Sequence, residues 1–303
     1  MTSAAASGFS SEQSPLRLAP RRHYVQVAAA VVVILLAFSL AESLATNENM
    51  QWAVIWKYLF DTQVVNGIGT TLVLTVLCMV LATMLATVLA IMHMSKNHVL
   101  ATVSLAYIWF FRGAPLLVQI IFWYNLAVLF PMLGIGIPFT QIKVEMATNA
   151  LITPFIAAVL AFTLHEAAYM AEIVRAGIQS VDVGQREAAV STGMTEGQSM
   201  MRIVLPQALR LIVPPTGNQA INLLKATSLV AFITGGDLLS AVQSIYSINF
   251  AVIPLLLVAS IWYLVIVSVA SIGQHYLARW VGRGVTSFNP AAATDQIRST
   301  GTP

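Results

Sequence analysis

The chain has 303 residues, of which 58% are hydrophobic and only 9% charged, against roughly a quarter charged in an average soluble domain. That excludes a large soluble domain and leaves an integral membrane protein. Since a span needs about 20 apolar residues, there is room for about five or six. The net charge of +3 decides nothing as a total, and a lone cysteine, Cys78, excludes an intrachain disulfide and reads as a small membrane-facing hydrophobe.

In chain order, residues 1–24 are rich in Ser and Ala without apolar periodicity, which predicts a disordered tail. Arg21-Arg22-His23 precedes Val25 to Leu44, a nearly charge-free run. The pattern admits an export signal cleaved at Ser43-Leu44-Ala45, or a twin-Arg signal. The run exceeds the roughly 7–15 residues of a signal core, however, so a retained first span over 25–45 is expected. Trp52, Trp56 and Tyr58 then predict a short helix at the outer surface with its aromatics on one side.

Gly67 to Met92 is the second expected span. Val99 to Phe130 would reach about 48 Å as one helix, and Arg112-Gly113-Ala114-Pro115 breaks it. An interfacial elbow is expected before Arg112 and a third span at Pro115 to Met132. An outer loop follows at Pro131 to Asn149, a fourth span at Ile152 to Met170, a long inner loop at Ala171 to Arg210 and a fifth span at Leu211 to Ile233. Gly235-Gly236-Asp237 turns the chain, Ala251 to Ile272 is the last span, and residues 283–303 read as a second disordered tail.

Charge sets the orientation. Arg17, Arg21, Arg22, Lys96, Arg175, Arg186, Arg202, Arg210, Arg279, Arg283 and Arg298 fall on one side of a six-span arrangement. Only Lys57 and Lys143 fall opposite, with Arg112 and Lys225 at or within the membrane. The positive-inside rule then makes both termini and the long loop cytoplasmic.

The one long polar interruption of the apolar body runs from Gln185 to Pro206. Gly193 suits the C′ position that ends a first short helix, and Thr195-Glu196-Gly197-Gln198 is a capping box that opens a second. Pro206 closes that helix or starts the next. A DNA-reading helix-turn-helix shares this grammar, but the stretch offers only Arg186, Arg202 and Arg210 for phosphates and lies between apolar spans.

Glu187-Ala188-Ala189, Gly193 and Ile203-x-Leu205-Pro206 resemble the EAA loop of ABC-importer permeases. Further stretches are similar to the polar-amino-acid branch of that family: Asn66-Gly67-Ile68-Gly69-Thr70-Thr71-Leu72, Phe110-Phe111-Arg112-Gly113-Ala114-Pro115-Leu116-Leu117, Ala168-Tyr169-Met170-Ala171-Glu172-Ile173-Val174-Arg175, Leu205-Pro206-Gln207-Ala208-Leu209-Arg210 and Gly217-Asn218-Gln219-Ala220-Ile221-Asn222-Leu223-Leu224-Lys225. The resemblance covers roughly residues 65–282. It implies an all-α membrane protein of about six transmembrane helices with the type I ABC-importer permease fold. It also implies a second permease subunit completing a dimeric pathway, a cytoplasmic ATPase dimer docked on the loop 173–210, and a periplasmic amino-acid-binding protein feeding it. Glu187, Ala188, Ala189, Gly193, Leu205 and Pro206 would couple to the ATPase. No nucleic-acid partner is expected. The chain departs from the family at Ala226, where an aspartate is usual, at Glu166, where an uncharged residue is expected, and in its added first span.

The residues carry a mechanism of their own. No Gly-x-x-x-x-Gly-Lys-Ser/Thr loop surrounds any of Lys57, Lys96, Lys143 or Lys225, so no cofactor is expected on this chain and ATP–Mg belongs on a partner ATPase. Polar residues inside the membrane are functional candidates. Asn218, Asn222 and Lys225 share a helical face with Thr216 and Gln219 beside it, a stripe that lines the pathway or bonds to packed helices. Glu166 is a candidate for recognising a cationic or amino group, with His165 or Arg112 as alternative structural partners. At about 1.5 Å per residue, Lys225 and Glu166 differ by about 12 Å in height within a layer of about 30 Å, and no direct pair is expected. Glu172 and Arg175 suit a snorkelling ion pair, and Arg112 an interface anchor. An ion-coupled secondary transporter would need intramembrane carboxylates and usually internal repeats, but no repeat is evident. A scaffold or membrane enzyme is the other alternative, without a clustered metal set or nucleophile–base pair to favour it.

Overall fold

The computed structural model describes residues 24–136 and 143–282. The expected tails, 1–24 and 283–303, lie outside them apart from Tyr24, which begins the first helix, and so does the tip of the outer loop. The described chain forms two units, divided after Met50. The first contains α1 (Tyr24–Thr46), slightly wider than the apolar run that predicts it. Its 21-residue stretch Gln26–Thr46 has a mean hydropathy of 2.4, long and apolar enough to cross a bilayer.

The second unit begins with α2 (Trp52–Leu59), which buries Ile55 and Leu59. Trp52 and Trp56, one turn apart, are exposed together, whereas Tyr58 is half-buried. A six-residue offset turns Tyr58 well away from Trp52, so the expected aromatic side holds only the two tryptophans. α3 (Thr62–His93) follows, with Asp61 accepting from the amide of Gln63 to cap it. Its threonines cost little in an apolar setting because Thr75, Thr83 and Thr87 donate to the carbonyls of Thr71, Met79 and Thr83. Cys78 is fully buried inside the bundle rather than facing the membrane.

The break at Arg112 to Pro115 separates α4 (His98–Gly113) from α5 (Leu116–Tyr124), and the two are bent by 99°. Two pieces so bent cannot both run along the membrane normal, in keeping with an elbow followed by a span. The span is not the continuous helix expected to Met132, because α5 ends at the Asn125 cap and only the short α6 (Leu126–Leu129) follows. The outer loop is more ordered than expected. β1 (Met132–Gly136) pairs antiparallel with β2 (Lys143–Ala147), Met132 opposite Ala147 and Gly136 opposite Lys143, before the short α7 (Thr148–Leu151).

α8 (Pro154–Gln179) starts on the Thr153 cap with Pro154 in its first turn. It runs well past the expected end at Met170, since Glu172, Arg175 and Gln179 satisfy one another along its side: Arg175 reaches Glu172 at 2.7 Å and Gln179 at 2.7 Å. The expected Glu172–Arg175 pair is therefore formed, on a helix rather than in a loop. After it come α9 (Val183–Ser191), α10 (Glu196–Ser199), a π turn at Met200–Val204 and α11 (Leu205–Ala226), extended by a 3-10 segment at Thr227–Ile233. Beyond Gly236 (φ 80°) and the Asp237 cap lies α12 (Leu238–Asn249), a helix the sequence reading did not anticipate. α13 (Val252–Val281) ends the described chain.

Small residues govern the packing. Ala82 and Ala86 of α3 and Ala157, Ala158 and Ala161 of α8 are fully buried, together with Leu74, Phe162 and Met170. Lipid tails are as apolar as leucine, so close backbone approach between small residues, rather than removal from water, holds such helices together. A second cluster joins α2, α12 and α13 through Ile55, Leu59, Leu238, Val242, Leu255 and Val258, and Trp262 of α13 donates to the Leu59 carbonyl at 2.7 Å. A third, Val174, Ile178, Val204, Ala208 and Ile212, ties the end of α8 to the start of α11. Among the described residues four helices are long and apolar enough to cross a membrane, or up to six when each bent pair counts as one span.

Candidate functional site

The polar interruption folds as its local chemistry dictates. Asp182 accepts from the Gly184 amide at 2.7 Å and caps α9. The helix ends in paired reverse bonds, Gly193 N–H to Val190 O at 2.9 Å and Met194 N–H to Ala189 O at 3.1 Å, with Gly193 at φ 84°. This is the Schellman arrangement, which needs a left-handed residue at C′. Thr195 and Gln198 then form a reciprocal capping box, at 3.3 and 3.0 Å, that opens α10. Pro206 sits in the first turn of α11 and so starts that helix.

The six residues singled out here separate into two sets. Glu187, Ala188, Gly193 and Pro206 are exposed, whereas Ala189 is buried and Leu205 half-buried. The two alanines, about 100° apart around the helix, thus divide, one outward and one into the protein. Glu187 stands beyond the first turn of α9, where the helix dipole has faded, and Asp182 takes the capping role there. Among the described residues Glu187 makes no ion pair.

Arg186, which the sequence marks only as an inner-side charge, anchors the unit. Its Nη2 donates to the Ile178 carbonyl in the last turn of α8 at 2.8 Å, while its Nε is buried without a partner. A cation at the carbonyl end of a helix is favourable both as a donor and against the dipole. Arg186→Leu is expected to free α9 from α8, costing about 1–3 kcal/mol locally. Hydrogen exchange across residues 183–191 should then accelerate while exchange in α8 stays slow, and unchanged exchange in α9 would remove the anchoring role.

The intramembrane candidates also divide. Asn218, Asn222 and Lys225 are all exposed and form one outward stripe on α11. Glu166 is buried, 4% exposed, with Oε2 lacking a partner, and the Gln219 amide lies within bonding reach of its carboxyl. Lys225 is six residues beyond Gln219, about 9 Å along the axis, so the structure does not bring Lys225 and Glu166 together. Neither alternative partner meets Glu166: His165 Nδ1 lies 3.1 Å from Gln119 Nε2, and the Arg112 guanidinium stacks 5.1 Å over the Tyr169 ring.

Gln119 is the other residue missed. It is buried, and its amide donates to the carbonyls of Phe111 and Ala114 at 3.1 and 2.9 Å. It thereby satisfies the backbone opened by the 99° bend and ties that bend to His165 of α8. A glutamine inside the apolar run Leu116 to Phe122 was the available signal. Two prolines inside α11, Pro214 and Pro215, remove N–H groups from the helix. Gln274 of α13 donates to the Pro214 carbonyl at 3.2 Å, a close approach that Gly217 permits. Among the described residues no group of three or more His, Cys, Asp or Glu converges on a metal-sized site.

This geometry is an outward knob beside a polar-lined helix bundle, and comparison with known proteins gives it a lineage. Residues 82–283 match the family described as binding-protein-dependent transport system inner membrane component. The chain is 42% identical over 277 residues to the arginine transport system permease protein ArgU of Corynebacterium glutamicum, covering 91% of this chain and 86% of that protein. It is 37% identical over 220 residues to the L-cystine transport system permease protein TcyB of Bacillus subtilis, covering 72% and 87% respectively. Among solved structures, an amino acid ABC transporter crystallised with histidines superposes with a TM-score of 0.61 at 34% identity, covering 72% of this chain and 93% of that one. The chain therefore belongs to the inner membrane components of binding-protein-dependent transport systems, the permease subunits of ABC importers, in which ATP hydrolysis resides on a separate subunit.

Proposed function

We propose that this permease subunit serves an ATP-driven importer of polar amino acids, coupled to a cytoplasmic ATPase dimer through the α9–Gly193–α10 unit. The observation that carries the reading is the division of that unit. One face, with Arg186 and Ala189, is pinned to the protein, while the other presents Glu187 and Ala188 to solvent. A knob held at its base by the end of a membrane helix suits transmission of force from a docked partner. Leu205 and Pro206 then continue it directly into α11, which carries the exposed stripe.

A second permease subunit is proposed to face that stripe, so that Asn218, Asn222 and Lys225 line a pathway between the two. An amino-acid-binding protein would deliver substrate from the outer side. ATP–Mg is assigned to the ATPase and no cofactor to this chain. Both termini and the α9–α10 unit are placed in the cytoplasm on the distribution of Lys and Arg. Relatives named for arginine and for cystine have cargoes with different side chains that share α-amino and α-carboxyl groups, which supports a polar amino acid rather than one particular cargo.

The test is uptake of a panel of labelled amino acids in cells with and without this chain, together with affinity purification of the membrane-extracted protein. Uptake of one substrate group and co-purification of a nucleotide-binding subunit are expected. Uptake without such a subunit, dissipated by collapsing the ion gradient, would sink the proposal. In the same assay Glu166→Gln is expected to lower uptake of cationic amino acids about tenfold relative to neutral ones, the equivalent of one charge-assisted hydrogen bond. An unchanged ratio would take Glu166 out of the pathway.

A further inference from the structure

At the end of the bundle that carries the α9–α10 unit, the start of α11 and the last turn of α13 leave a cavity of about 350 Å³, lined by Pro206, Leu209, Arg210, Val213, Trp280 and Val281. Arg210 supplies the cavity's only formal charge. Leu209 and Trp280 are 45% and 68% exposed, so apolar surface stands open beside the guanidinium.

Among the described residues no carboxylate answers that charge. From Gly197 to Gly282 the sequence contains a single acidic residue, Asp237. It is fully buried and committed to the amides of Leu239 and Ser240 at the start of α12. Among the described residues neither Arg210 nor Arg279, which precedes Trp280, takes part in an ion pair. A planar guanidinium left free in this way is matched by the oxygens of a phosphate, which it can meet with two parallel hydrogen bonds. Tryptophan favours the headgroup level of a bilayer, and the leucine and valine walls suit the first carbons of an acyl chain.

We infer that this cavity is a binding site for an anionic phospholipid, with Arg210 holding the phosphate and Leu209, Val213 and Trp280 packing on the glycerol and upper acyl segment. Basic pockets between membrane helices recognise anionic headgroups on the same physical basis. The site depends on the chain being in a membrane; it borders the proposed coupling residues at Pro206, but Arg210, which would hold the phosphate, is not one of them.

The test uses the assembled transporter, delipidated in detergent and titrated with dioleoylphosphatidylglycerol or dioleoylphosphatidylcholine while bound lipid is counted by native mass spectrometry. Arg210→Gln is expected to weaken the tightest phosphatidylglycerol site about fivefold, the contribution of one surface arginine, and to leave phosphatidylcholine unaffected. Arg210→Lys should restore part of the loss. Arg202→Gln, an exposed arginine outside the cavity, should change neither lipid. Equal phosphatidylglycerol binding by the Arg210→Gln protein would overturn the site, and so would an equal loss from Arg202→Gln, which would show diffuse attraction. Release of a partner subunit by Arg210→Gln with lipid binding intact would make the cavity a protein contact and overturn it as well.

Discussion

Gly193→Asp is expected to abolish amino-acid uptake while the chain remains folded in the membrane. Gly193 holds φ at 84°, a region that costs other residues roughly 1 kcal/mol, with aspartate among the better tolerated. A β-carbon added there meets nothing within 4 Å, so the new side chain would project into solvent without disturbing the bundle. The damage should therefore fall on whatever docks against the turn, as a charge placed at the tip of the knob. Gly193→Ala separates the two contributions, since it carries the strain without the charge and should retain most uptake. The measurement is initial-rate uptake of labelled amino acids at membrane levels matched by immunoblot. Normal uptake by the Gly193→Asp protein would reject the docking role of the turn.

Gly67→Val should have the opposite character, with loss of the folded protein. A β-carbon at Gly67 would stand 2.9 Å from the Leu238 α-carbon, 2.9 Å from the Ala241 β-carbon and 3.0 Å from the Asp237 carbonyl oxygen. These are mostly backbone atoms, and they cannot swing aside as a side chain can. The junction is also pinned one turn further along α3, where the Leu238 amide donates to Thr71 Oγ1 at 3.1 Å. Forcing α12 away from α3 breaks that bond and opens the packing, a cost above the roughly 1–3 kcal/mol of ordinary overpacking. Two residues on, Gly69 has nothing within 4 Å of its added β-carbon, and Gly69→Ala should be silent or slightly stabilising, by about 0.5–1 kcal/mol. Fluorescence-detected size exclusion of detergent extracts distinguishes them: the Gly67→Val peak should collapse and the Gly69→Ala peak should match the parent. Comparable peaks for both would show that the α3–α12 contact yields more easily than its geometry implies.

The pair Gly67 and Gly69 also marks the limit of what could be read from the chain. Both lie in one short motif similar to the permease family, and nothing local distinguishes them. α12 was missed for a related reason. Its cap, Asp237, is visible in the sequence, but a 12-residue helix whose buried face is made by α3 and α13 has no local signature that separates it from a loop after Gly235-Gly236. From sequence alone α8 ends at Met170, because Glu172 and Arg175 read as the edge of the membrane, whereas in the structure they bond along a helix that continues.

By itself the sequence determined what is decided within a few residues: the apolar runs, the break before Pro115, the Gly193 turn, the Thr195–Gln198 box and the Glu172–Arg175 pair. These follow from backbone sterics and from hydrogen bonds between near neighbours, which need no knowledge of the rest of the chain. Only the tertiary structure decided which way polar side chains point. It separated exposed Ala188 from buried Ala189, set Glu166 against Gln219 rather than Lys225, sent Arg186 to the end of α8 and Gln119 to the elbow, and left Arg210 without a carboxylate among the described residues. A side chain's partner depends on which helix packs against its face, and that is settled by the fit of small residues between helices far apart in the chain.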